Sequence, residues 1–292
     1  MPPFEVRIAA SPTRGFYGQI ALFAASLQAL GYAVPVRVFL GADEDIDPIW
    51  NEPLPLVELV WVHGPAVYAQ CDAAFIHPAR APILVYSDAD TVWLRRIDEL
   101  IDGFQDRAIA GLIAHMRPPG PFFDQAPELA WAKVGSALIG RPVPTPYRAT
   151  MVDAALPFYV NLGFVVADAR IFAESGRRYL GLCEAVSPYL ATPYFKYQAA
   201  VPVYALELGL SERTLDPEYN FINDETFERL HSDAADRIRV IHYAREKSFV
   251  RSSMFDDPRA YGAFLEQPLT GVERLLQDHV RAVWPRPPAH LR

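Results

Sequence analysis

Apolar residues fall into two alternating patterns along this chain. Val6 to Ala10, Val34 to Leu40, Glu58 to Val62 and Ile83 to Ser87 are short, near-continuous apolar runs with the character of strands buried on both faces. After the first run comes a Ser-Pro-Thr-Arg-Gly loop (11–15). Residues 16–30 then place Ile20, Phe23, Ala24, Leu27 and Leu30 on one face at helical spacing, with Gly31 as a stop. Buried strands alternating with helices predict an α/β fold, a mostly parallel sheet covered on both faces.

The pattern breaks between Arg117 and Pro157, where eight prolines and several aromatics leave little clean periodicity. An irregular stretch of that length inside a compact domain is usually functional rather than a linker. Order returns with a strand over Phe158–Val166 and a helix from Asp168 to Val186 capped by Asp168. A helix-like stretch then opens at Tyr194 and runs to Leu208, and Arg239–Tyr243 is a late strand. Residues 256–292 read as one or two helices with a Pro-rich end. The expected organisation is one domain over 1–255 and a helical extension over 256–292.

Composition narrows the partners. With 292 residues, 51% of them hydrophobic and 12% aromatic, the chain can bury a large core. Its net charge of −8 and the absence of any Lys/Arg block argue against nucleic acid. An anionic nucleotide would need a divalent cation or a few local basic residues. Cys71 and Cys183 are too few for a disulfide framework or a zinc site, and suit a reducing compartment. There is no run of eighteen apolar residues, so no transmembrane span is expected, and Met1 to Arg7 has no signal-peptide stretch. A cytoplasmic location follows as the expectation. Arg274, Arg281, Trp284, Arg286 and Arg292 give the tail some of the character of a peripheral membrane contact. Glu273 and Asp278 dilute its charge, which favours a solvated helix packed on the domain.

The densest chemistry lies in Ile83-Leu84-Val85-Tyr86-Ser87-Asp88-Ala89-Asp90, where an apolar strand runs directly into two carboxylates. Ligands of open α/β sheets bind beyond the carboxyl ends of strands, and alternate residues of an extended chain point the same way. Carboxylates so close repel unless a cation lies between them, and hard oxygen ligands suit Mn²⁺ or Mg²⁺, which also bridge to phosphates. Taken alone, the triplet is equally compatible with Asp residues that cap a turn or the next helix.

The triplet resembles that of GT-A fold glycosyltransferases, in particular the glycosyltransferase 8 family and its bacterial relatives. In these an aspartate-x-aspartate at a core strand end binds the metal and the diphosphate of a sugar nucleotide. Thr91 to Leu100 is similar to the segment that follows it there, and the resemblance runs in order from about residue 6 to 250. It implies a Rossmann-like GT-A catalytic domain, a nucleotide diphosphate sugar donor such as a UDP-sugar, a carbohydrate or other hydroxyl acceptor, and a retaining hexosyltransferase. The loops of 117–157 would then face the acceptor.

Residue by residue, the resemblance implies Asp88, Asp90 and His242 as metal ligands, His242 closing the late strand. Tyr86, Ala89, Asn161 and Gly163 would lie along the donor, Asn161-Leu162-Gly163 matching an "asparagine-x-glycine" strand. Lys247 would meet the diphosphate, although it stands one residue nearer the histidine than usual. Gln198 matches a glutamine that opens a helix and steadies the sugar, with Tyr197 in place of an aspartate. Ala10, Ser11, Thr13 and Arg14 occupy the place of the nucleotide-binding loop, and an ordinary helix cap explains them equally well. Phe122, Phe123, Trp131, Tyr147 and Tyr159 are candidates for an acceptor shelf, or simply core.

Two other classes compete. A haloacid dehalogenase-like phosphohydrolase would use Asp88 as nucleophile and Asp90 as acid/base, with a lysine and a late acidic pair. That family carries its triplet near the N-terminus, whereas more than eighty residues precede it here, and Asp256-Asp257 follows no apolar strand as its late acidic pair would. A non-catalytic sugar-binding protein would leave the carboxylates and His242 without a role.

Overall fold

The computed structural model describes residues 2–64, 68–124, 126–251 and 253–291. In chain order the strands are β1 (Phe4–Ala10), β2 (Val36–Gly41), β3 (Val57–Val62), β4 (Ile83–Ser87), β5 (Thr91–Trp93), β6 (Ala108–Ile113), β7 (Tyr147–Arg148), β8 (Ala155–Leu156), β9 (Val160–Asp168), β10 (Ser211–Thr214), β11 (Phe221–Ile222) and β12 (Val240–His242). The helices are α1 (Arg14–Ala29), α2 (Ala69–Ile76), α3 (Asp98–Asp102), α4 (Pro121–Asp124), α5 (Pro127–Ile139), α6 (Ala169–Val186), α7 (Lys196–Leu208), α8 (Glu225–Leu230), α9 (Pro258–Glu266) and α10 (Gly271–Val283). None of the described helices is long and apolar enough to cross a membrane.

Seven strands form the main sheet in the order β10-β6-β9-β4-β1-β2-β3. The largely apolar runs β1 to β4 pair in parallel; β1, β2 and β4 are buried on both faces, whereas the edge strand β3 is only half-buried. β9 is the exception, running antiparallel between β4 and β6. The fold is therefore α/β with a mixed, mostly parallel sheet flanked by helices, and a helical C-terminal segment.

Topology decides which distant residues meet. Because β9 is antiparallel to β4, with Ser87 opposite Phe164, the start of β9 lies beside the end of β4. A second sheet, β11-β12-β5, sets His242 opposite Thr91, immediately after the Asp88–Asp90 turn. Trp93, fully buried against Phe4, Phe23, Tyr32 and Phe164, anchors β5 on β1 and α1.

The stretch expected to be irregular is only partly so. Pro127 occupies the first turn of α5, where its missing N–H costs nothing, and Gly140 ends the helix at φ 70°. Phe123, Trp131 and Tyr159 are core rather than an acceptor shelf, at 0%, 0% and 1% exposure. Phe122 packs on Tyr189, and the Tyr147 hydroxyl donates to Glu212.

The apolar faces of α9 and α10, including Tyr261, Phe264, Leu276 and Val280, share one core cluster with Ile222, Ile241 and Tyr243. Arg274 and Arg281 pair with Asp278, and Trp284 packs edge-on against Phe255. Arg292, weighed above for membrane contact, lies outside the described residues.

Candidate active site

The end of β4 is built as a tight turn. Thr91 donates its hydroxyl to the Asp88 carbonyl at 2.9 Å, and the Ser87 hydroxyl lies 2.8 Å from Thr91 Oγ1 and 3.3 Å from the Gly163 carbonyl. Asp88 N donates to Gly163 O, and Tyr243 N to Asp90 O, so both neighbouring strands are pinned to the triplet. Ala89 between the carboxylates is buried.

His242 Nε2 lies 3.2 Å from Asp90 Oδ1 and 3.5 Å from Asp88 Oδ2. Among the described residues, these three are the set of acidic, thiol and imidazole groups whose ligand atoms come within 4.8 Å of one another. The Asp88 side chain is 46% exposed, against 11% for Asp90 and 6% for His242, so the cluster opens to solvent on the Asp88 side.

A relay of buried amides fixes the imidazole. Gly163 N–H can only donate, so the atom it meets at 2.9 Å is Asn161 Oδ1. The Asn220 atom 3.0 Å from that oxygen must then be its amide nitrogen, which leaves Asn220 Oδ1 facing His242 Nδ1 at 3.1 Å. Nδ1 therefore carries the hydrogen, and in the neutral ring Nε2 is the bare nitrogen, aimed at two carboxylates. That arrangement is repulsive unless a proton or a cation lies between them. It has the form of a metal-ligand histidine held by an outer hydrogen bond.

Gly163 has a role that its sequence context did not suggest. A Cβ there would stand 2.2 Å from His242 Nδ1 and 2.4 Å from Cε1, so the glycine makes room for the imidazole rather than for a ligand. Asn161 is likewise spent in part on the relay, with its oxygen accepting from both Gly163 and Asn220.

The electrostatics follow from burial and proximity. Protein packed around Asp88 pushes its carboxyl up to about 6; the Asp90 charge adds to this, while His242 and Arg251 oppose it. Burial opposes ionisation of Asp90 as well, but His242 and Arg251 outweigh it and hold this carboxyl below its ordinary range. The same balance raises His242 above its ordinary value, the two carboxylates overcoming its burial.

Other residues singled out in the sequence are placed differently. The Tyr86 side chain is buried and stacks on Phe75 at 4.6 Å, so it belongs to the core and not to a donor contact. Lys247 pairs with Glu225 at 3.3 Å and Glu228 at 3.8 Å, which directs its charge to α8. Arg14 pairs with Asp47 at 3.4 Å and lines a cavity of about 540 Å³ formed with Pro53, Leu54, Trp284 and Pro288. Ala10 is buried at the end of β1, Ser11 is partly exposed and Thr13 exposed; the Thr13 carbonyl accepts from Trp50 Nε1. Gln198 lies partly exposed in the first turn of α7. Four residues before it, Tyr194 is 61% exposed, and its hydroxyl is held above its ordinary value first by the Asp88 charge.

The cation at the cluster is Arg251, whose guanidinium pairs with Asp90. Sequence reading missed it because Arg245, Lys247 and Arg251 are all cations after one strand, and only the folded loop selects among them. Asn220 was missed as well, since only the fold brings it to Asn161 and His242.

No protein-family model and no curated protein sequence matches the chain. Solved structures do. The galactosyltransferase LgtC, in complex with donor and acceptor sugar analogues, superposes with a TM-score of 0.50 at 14% identity, over 83% of this chain and 87% of that one. The glycosyltransferase GlyE of Streptococcus pneumoniae TIGR4 gives 0.54 at 11% identity, over 94% of this chain. The bifunctional glycosyltransferase WbbM gives 0.53 at 13% identity, over 98% of this chain. The chain spans only 60% of GlyE and 50% of WbbM. At these identities the likeness is one of fold: this is a GT-A-like glycosyltransferase fold, as the sequence resemblance implied.

Two outcomes follow from the site. Gly163→Ala should push the imidazole off its bed, and any divalent ion that the cluster takes up, Mn²⁺ serving as the probe, should bind about 10–100-fold more weakly, as loss of an outer support does. Calorimetric titration reads this, and native affinity in the variant would contradict the packing argument. Mn²⁺ affinity should also rise with pH, because the ligands must shed protons that the metal-free site holds at raised pKa values. Protons should be released on ion binding at low pH, where Asp88 and His242 hold them, and the release should fade as pH rises past their raised values. A pH-independent affinity would contradict it.

Proposed function

We propose that the protein is a metal-dependent glycosyltransferase, moving a sugar from a nucleotide diphosphate donor, a UDP-sugar in our reading, to an acceptor hydroxyl. The observation that carries this is Nε2 of His242 facing both Asp88 and Asp90, with Nδ1 held by the Asn161–Asn220 relay. Asp88, Asp90 and His242 would hold Mn²⁺ or Mg²⁺; a divalent ion there neutralises the charge that builds on a departing diphosphate.

The chain's own groups supply the rest. Ser11 and Thr13, at the carboxyl end of β1, offer hydroxyls to base or ribose. The amide nitrogen of Asn161 is available to a sugar hydroxyl, since the relay uses its oxygen. Gln198 steadies the transferred sugar from the start of α7. In a retaining hexosyl transfer, the bond from C1 to the acceptor oxygen forms as the bond from C1 to the β-phosphate oxygen breaks. The leaving phosphate keeps that electron pair and takes the acceptor proton, so no carboxylate base is required.

The phosphohydrolase reading lacks support around Asp88. Asp257 caps α9 through Arg259 N and Ala260 N, and Lys247 is paired with α8. A non-catalytic sugar-binding role leaves the imidazole relay without a purpose.

The test is turnover of a UDP-sugar panel with a mixture of saccharide acceptors, with Mn²⁺ present or chelated, using native protein and Asp90→Ala. Native turnover should depend on metal and fall at least about a hundredfold in the variant. Metal-independent turnover, or full activity in Asp90→Ala, contradicts the proposal. Release of inorganic phosphate from simple phosphoesters selects the phosphohydrolase instead.

A further inference from the structure

We propose that Arg251 is a built-in counter-ion of the metal site: it covers Asp90 in the metal-free protein, is displaced when the cation binds, and then pairs with the donor diphosphate. This rests on the function proposed above and adds a device to it.

Asp90 is largely buried, and a carboxylate in that position is costly without a partner charge. Arg251 supplies one. The cations nearby are committed elsewhere, Arg245 to Asp224 at 3.6 Å and Lys247 to α8. Arg251 differs in that its carboxylate partner belongs to the proposed metal site itself. Arg251 holds Asp90 Oδ2, while His242 faces Oδ1. A divalent ion on Asp88, Asp90 and His242 would therefore share one carboxylate with the guanidinium and repel it at contact range, so each occupancy disfavours the other.

The loop is built so that the side chain can leave without the backbone. Phe249, Met254 and Phe255 are buried on either side of position 251. Asn223 clamps Arg245, accepting from its N–H at 2.9 Å and donating to its carbonyl at 2.8 Å. Between these anchors the Arg251 side chain is 34% exposed. A displaced guanidinium on a long, flexible side chain needs another anion, and its planar fork matches a phosphate. Metal alone must therefore displace Arg251 with no new partner on offer, whereas metal and diphosphate together provide one. The two ligands reinforce each other, and by linkage they do so reciprocally.

Calorimetry on native protein, Arg251→Ala and Arg251→Gln tests this, with thermal denaturation to confirm that the variants fold. If Arg251 covers Asp90 about nine-tenths of the time, Mn²⁺ alone should bind both variants about tenfold more tightly than native. UDP at saturating Mn²⁺ should bind them about tenfold more weakly, through loss of a charged hydrogen bond. Opposite signs are the signature, since a loosened fold would weaken both. Unchanged or weaker Mn²⁺ binding in the variants, or unchanged UDP binding, overturns the proposal. If native protein binds neither Mn²⁺ nor UDP, the functional reading falls and this inference with it. If native binds both and the variants match it, the inference alone falls.

Discussion

Two carboxylates forced together at the end of a buried strand repel one another, and much of the surrounding structure answers that repulsion. The turn from Ser87 to Thr91 holds Asp88 and Asp90 in place through its own hydroxyls and carbonyls. His242 approaches both from β12, and Arg251 approaches Asp90 from the following loop. The imidazole sits where it does because Gly163 has no side chain and because Asn220 accepts from its far nitrogen. Without His242 and Arg251 the two carboxylates would face each other with no counter-charge, Asp90 in a largely buried position.

The sheet topology makes this convergence possible. A strand running parallel to β4 would carry its own carboxyl end to the site. The antiparallel β9 brings its beginning instead, with Asn161 and Gly163, while Asp168 lies at the far end capping α6. The small sheet does the same for β12, reversing it against β5 so that its last residue meets the triplet. One reversed strand and one short antiparallel pair thus join residues that are about seventy-five apart and about one hundred and fifty apart in sequence.

The parallel half of this fold was legible because strands buried on both faces are largely apolar, and β1, β2 and β4 are, with Glu5, Arg7 and Arg37 as a buried, mutually paired exception. The triplet stood out because charge follows such a strand without a break. His242 was legible only through resemblance, since a lone histidine on a late strand carries no signal of its own partners. Two kinds of information were hidden. Proline density between 117 and 157 suggested irregularity, yet Pro127 starts a helix. Competition among cations was invisible as well: Arg14, Lys247 and Arg251 look alike in sequence, and the acidic neighbours that claim the first two are brought in by Asp47 and α8. Tyr86 was misplaced for a related reason: its nearness to the triplet in sequence does not show that Phe75 and Phe172 enclose its ring in the aromatic core.

The central claim is that one divalent cation is held by Asp88, Asp90 and Nε2 of His242. Anomalous diffraction from crystals grown with Mn²⁺ and UDP tests it most directly. The account predicts a single strong manganese peak within about 2.0–2.4 Å of a carboxylate oxygen from each aspartate and of Nε2, with Nδ1 still bonded to Asn220. A manganese peak elsewhere, or none at this cluster while UDP is bound, would contradict it.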